Sequence, residues 1–150
     1  MTEAKLGSDG RTFSVGPDSV KALVEAADTN DAFSLVDYTA APGVPGPPPH
    51  VHRETSETFY VLAGEVTFRA GDREQVLRAG EIAFVPPGIV HTFANAGSEP
   101  ARWVGIFSPG HAMAMVEDIG KAFPEGGGPP DEAKMMAVVD DHDLEIVPEP

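Results

Sequence analysis

Two histidines one residue apart, a nearby glutamate and a distant third histidine constrain this chain more than any other feature. They are His50-Val51-His52, Glu57, and His91 within Gly80-x5-Pro86-x-Gly88-x2-His91-x3-Asn95. Successive side chains of a strand alternate faces, so His50 and His52 point the same way. Ser56 to Ala63 reads as a strand on which Glu57, Phe59 and Val61 share one face. His91 follows the tight Pro86-Pro87-Gly88 turn and enters another strand, with Phe93 and Asn95 on its side. Each piece alone has an ordinary explanation: a surface His-x-His, a solvated strand glutamate, a loop histidine. Together they place three imidazoles and one carboxylate where a small β-barrel holds one divalent transition metal. Imidazole with carboxylate suits Fe, Ni, Mn, Co, Cu or Zn, whereas Ca and Mg take an all-oxygen shell.

The same residues resemble the two motifs of the cupin family. The first motif, Gly-x5-His-x-His-x3-4-Glu-x6-Gly, is met by His50-x-His52-x4-Glu57-x6-Gly64, with Val44 where the leading glycine is expected. That departure touches the turn before the first ligand and none of the ligands. The second motif matches at every fixed position from Gly80 to Asn95. The resemblance covers residues 33 to 108, and the stretch from Gly43 to Gly64 is most similar to bacterial quercetin-dioxygenase-like cupins. It implies an all-β double-stranded β-helix, a jelly-roll barrel, with His50, His52, Glu57 and His91 as ligands of one metal. In enzymes resembling this one, such a site supports dioxygen insertion into a flavonol-like ring.

The rest of the chain fits that architecture. Its 150 residues suit one domain, and 16 glycines and 15 prolines punctuate short strands instead of forming a low-complexity tract. Residues 1–31 read as an N-terminal extension with edge strands, the latter a pair around Gly16-Pro17-Asp18. Residues 32–108 form the barrel, opened by a strand at 32–40 and the proline-stiffened loop 41–49, which presents His50 and His52 rigidly. Residues 109–150 carry a helix at 111–123, a Gly126-to-Pro130 linker, a second helix N-capped by Asp131, and an extended return at 144–147. No internal repeat is present, so the chain makes one barrel.

Charge and composition narrow the partners. The net charge of −14 argues against nucleic acid and anionic membrane surfaces. No apolar run reaches the ~20 residues of a membrane span, there is no leader-like h-region, and cysteine is absent, so a cytoplasmic protein is the default expectation. Period two places Phe59 and Val61 on the cavity side with Glu57, and Val66, Phe68, Ile82, Phe84 and Phe93 are further candidates there. A metal at the base of an apolar, partly aromatic pocket suits a small aromatic or enolic organic substrate. It does not suit a phosphorylated sugar, which wants convergent Arg or Lys. Glu57 is the candidate for a second role, accepting a substrate hydroxyl proton beside the metal. The leading expectation is thus a quercetinase-like dioxygenase. A non-redox metal-assisted cyclase or isomerase and a non-catalytic ligand-binding module remain as alternatives. His111 and His142 lie outside both motifs and read as structural or surface residues. Tyr60 and Leu62, apolar on the opposite face of the Glu57 strand, point to a homodimer.

Overall fold

The computed structural model describes residues 3–149. Eleven strands and two α-helices follow one another in those residues. The strands are β1 (Arg11–Val15), β2 (Asp18–Val24), β3 (Ser34–Ala40), β4 (His50–Val51), β5 (Ser56–Ala63), β6 (Val66–Ala70), β7 (Arg73–Leu77), β8 (Ile82–Val85), β9 (His91–Ala94), β10 (Ala101–Ser108) and β11 (Glu145–Ile146). Helix α1 spans Met113–Lys121 and α2 spans Glu132–Asp141. The strands form a six-stranded sheet in the order β1-β2-β3-β10-β5-β8 and a five-stranded sheet in the order β11-β4-β9-β6-β7. Every pairing is antiparallel. This is the double-stranded β-helix arrangement, with sequence-distant strands paired inside both sheets.

Alternation decides what lies between the sheets. In β10, Ala101, Trp103, Gly105 and Phe107 are buried while Arg102 and Ser108 are exposed. In β3, the buried set is Ser34, Val36, Tyr38 and Ala40. Val61 of β5 and Val66 and Phe68 of β6 join them in one continuous core. Tyr38 stacks on Trp103 at 4.5 Å with their planes 9° apart, and Phe59 meets Phe68 edge to face at 4.9 Å.

One strand departs from the expected phase. β5 pairs with β8 so that Glu57 faces Val85 and Phe59 faces Ala83. Ala83 and Val85 therefore point inward, and Ile82 and Phe84 stand on the outer face, 54% and 58% exposed. Phe84 is thus not a cavity residue. The reason is physical: Ile82-Ala-Phe-Val85 is apolar throughout, so its own pattern carries no alternation, and the β5 register alone sets the phase.

The loop ahead of β4 is held by close backbone packing. Val44 bridges to Asn95, and Thr92 Oγ1 donates to the Pro47 carbonyl at 2.6 Å. Asn95, the last fixed position of the second motif, is buried and donates to the carbonyls of Ala40, Ala41 and Glu99. Gly46 adopts φ +73°, and a Cβ there would lie 1.7 Å from the Phe93 carbonyl oxygen. Gly43 has the same φ with open space around it. Gly46→Ala should therefore cost more than ~1 kcal/mol in urea unfolding and exceed the cost of Gly43→Ala, which meets backbone strain alone. Equal losses for the two variants would refute the close-approach explanation.

Candidate metal centre

Both sheets contribute to the four candidate ligand side chains. β4 and β9 pair His50 directly opposite His91. His52 follows β4 by one residue, and Glu57 enters from β5 in the facing sheet. All four residues are buried, and one ligand atom from each lies within 4.8 Å of the others. His91 Nε2 is 2.8 Å from Glu57 Oε2, and His52 Nε2 is 3.6 Å from Glu57 Oε1.

Each imidazole is turned by a backbone carbonyl on its far side. Nδ1 of His50 meets Pro48 O at 3.0 Å, Nδ1 of His91 meets Ile89 O at 2.9 Å, and Nδ1 of His52 meets Asp143 O at 2.6 Å. A carbonyl only accepts, so each Nδ1 carries a hydrogen; Nε2 of His50 and of His52 is left to face its neighbours, while Nε2 of His91 shares a hydrogen with Glu57 Oε2. His52 Nε2 is buried with no hydrogen-bond partner. An orphaned buried nitrogen among two more imidazoles and a carboxylate calls for a cation, and the residues fit a metal ion on that ground.

The electrostatics agree. Burial pushes the His50 imidazole down to about 4, with His91 adding to the effect, so it stays neutral and ready to ligate. Burial would raise the Glu57 carboxyl, but the His91 hydrogen bond and the surrounding imidazoles outweigh it and hold the group below its ordinary value. A charged carboxylate is thereby kept in an otherwise apolar interior.

The centre opens on a cavity of about 490 Å3. His50 and Glu57 reach its surface, and Phe59, Phe93, Trp103, Tyr38 and Phe107 supply aromatic wall. Met115 and Ile119 of α1 and Leu144 and Ile146 around β11 also line it. Among the described residues, no Lys or Arg lines it. Among the residues expected there, Phe59 and Phe93 reach the cavity. Val61 and Phe68 are buried in the core without lining it, and the Phe68 ring lies parallel to that of His91 at 6.2 Å. His111 is an exposed partner of Asp31, and His142 pairs with Asp118. The alternation Ala101-x-Trp103-x-Gly105-x-Phe107 could have revealed Trp103 and Phe107 as wall residues. Nothing local could have revealed Asp143, whose contribution to His52 comes from its backbone.

Comparison with known proteins places the fold and centre in a family. Residues 36–107 match the family model described as a cupin domain, and the chain belongs to the cupins. Germin-like protein 5-1 of Oryza sativa subsp. japonica is 39% identical over 79 residues, covering 47% of this chain and 34% of that protein. Quercetin 2,3-dioxygenase of Bacillus subtilis (strain 168) is 25% identical over 122 residues, covering 81% of this chain and 36% of that protein. The chain thus spans about a third of the length of these two curated relatives. A Klebsiella pneumoniae protein with a double-stranded β-helix domain, itself uncharacterized, superposes with a TM-score of 0.53 at 30% identity, covering 71% of this chain and 84% of that one.

The His50 shift sets a pH dependence for the metal-free protein. The unfolded chain takes up that proton near 6.5, and the folded chain only near 4. Between those values the unfolded state binds more protons, so stability should fall by on the order of 3 kcal/mol as pH drops through this window. The Glu57 contribution goes at lower pH still, as its depressed carboxyl is protonated. Urea midpoints of chelator-treated protein from pH 7 to 4 measure the effect, and a flat profile would contradict a buried neutral His50.

Proposed function

We propose that this chain is a metal-dependent cupin enzyme, a dioxygenase that acts on a small aromatic or enolic compound. One observation carries the reading: a buried three-histidine, one-glutamate centre opens into an aromatic cavity with no cationic side chain. Such walls favour a flat, uncharged organic molecule and disfavour small dicarboxylates or phosphorylated sugars, which need Arg or Lys partners. The similarity to a quercetin dioxygenase across most of this chain supports the same direction.

His50, His52, Glu57 and His91 would hold one divalent ion, one of Fe, Ni, Mn, Co, Cu or Zn. When bound, the metal supplies a Lewis-acid position and a template for a substrate oxygen. The chain's own residues do the rest. Phe59, Phe93 and Trp103 hold the ring system and exclude water, which strengthens each electrostatic contact inside. Glu57, charged and at the cavity surface, accepts the proton of a substrate hydroxyl, leaving the enolate or phenolate that reacts with dioxygen.

Glu57→Gln should reduce kcat by ~10²–10⁴-fold in an oxygen-uptake assay with flavonols. His50→Ala with His91→Ala should abolish metal retention in elemental analysis. Oxygen consumption that never exceeds the protein-free rate, with any flavonol or enediol and any of the six metals, would remove the dioxygenase reading. Anaerobic turnover by the Zn form would then favour a cyclase or isomerase, and binding without turnover a ligand-binding module.

A homodimer belongs to the same reading. Tyr60, Leu62, Ile82 and Phe84 make an uncharged apolar patch on the outer face of β5 and β8, in a chain of net charge −14. A two-fold pairing of that face with its copy would cover it without bringing like charges together. Light scattering should give the dimer mass for wild type and the monomer mass for Ile82→Arg with Phe84→Arg. A monomeric wild type at high concentration would remove the dimer.

A further inference from the structure

Two of the three ligand histidines are oriented locally, and the third is not. His50 and His91 each use the carbonyl two residues before them, Pro48 and Ile89. Any chain that forms these strands supplies those acceptors. His52 instead uses the carbonyl of Asp143, on the segment between α2 and β11, well beyond the matched cupin domain at 36–107. The side chain of the same residue grips the turn separating His52 from Glu57. Asp143 Oδ1 accepts from Arg53 N at 2.7 Å, while Oδ2 accepts from Glu54 N at 2.8 Å and Thr55 Oγ1 at 3.0 Å. β11 then continues along the first ligand strand, with Glu145 opposite Val51, Ile146 opposite His50, and Val147 N donating to Pro49 O at 2.8 Å.

We propose that Asp143 is a positioning residue of the metal centre, and that the C-terminal segment carrying it completes that centre. The carbonyl fixes the hydrogen of His52 on Nδ1 and frees Nε2, the nitrogen that stands without a partner. The carboxylate fixes the Arg53-Glu54-Thr55 turn, and with it the spacing of two ligands that belong to different sheets. Because the carbonyl and carboxylate share one residue, loosening the side chain also loosens the carbonyl. Leu144 and Ile146 on the same segment line the cavity, so metal geometry and cavity wall depend on one stretch of backbone.

The inference rests on the metal-centre reading, and a Co(II) titration separates the two. Wild type, Asp143→Ala, Asp143→Asn and Glu145→Ala are titrated with Co(II) against a competing chelator, with folding followed by circular dichroism. Asp143→Ala should bind Co(II) 10–100-fold more weakly than wild type and change the d–d absorption spectrum. Asp143→Asn, which keeps one carbonyl acceptor, should recover part of the affinity. Glu145→Ala breaks only the exposed ion pair with Arg53 and should match wild type. Wild-type affinity and spectrum in folded Asp143→Ala would overturn the proposal, as would an equal loss in Glu145→Ala. If Asp143→Ala does not fold, undiminished affinity in Asp143→Asn overturns it in the same way. A wild type that binds no Co(II) would overturn the metal centre itself.

Discussion

Three imidazoles and a carboxylate are buried at one point between two apolar sheets, and everything nearby is arranged to make that tolerable. Burying an isolated charge is costly, and Glu57 is compensated by the imidazoles around it. The imidazoles are in turn satisfied on one side by backbone carbonyls. The Pro48 carbonyl lies on a loop whose conformation is fixed by Thr92, Asn95 and the close approach at Gly46. The proline-rich loop therefore serves the site directly, since the Pro48 carbonyl both belongs to it and orients His50.

The clustering of His50, His52, Glu57 and His91 was legible because period-two alternation and motif spacing are local properties. His50 and His52 had to share a face once the segment was extended, and Glu57 had to share one with Phe59 and Val61. The helices were legible for similar reasons, down to Asp131, whose side chain accepts from Lys134 N as an N-cap. Phase in β8 was not legible. Ile82-Ala-Phe-Val85 offers four apolar residues in a row, and only pairing with β5 decides that Phe84 faces outward. Hydrophobicity suggested a cavity residue, and register made it a surface one. The Asp143 contacts were equally hidden, since its carbonyl leaves no trace in residue identity and its carboxylate meets a turn far away in sequence.

The family domain and the functional unit do not coincide. Residues 36–107 contain all four candidate ligands, yet the hydrogen bond that orients His52 and part of the cavity wall come from residues beyond them. Helix α1 also packs against β1, placing the N-terminal hairpin and the C-terminal helices on one side of the cavity. Cupin centres share their ligands across a family whose reactions differ, so chemistry specific to this chain is expected in what varies around those ligands. Here that surrounding shell is apolar, aromatic and partly C-terminal.

A segment with two duties also couples them. β11 is only two residues long, and its pairing with β4 puts Ile146 opposite His50. A ligand pressing on Leu144 or Ile146 from the cavity would act on the segment that carries Asp143, and so on the orientation of His52. By linkage, whatever would strengthen metal binding through that segment would also favour the placement of these wall residues, and the reverse would hold with equal free energy. Under the proposed function, recognition of an organic molecule and grip on a metal would both run through one backbone position, held by four hydrogen bonds at Asp143.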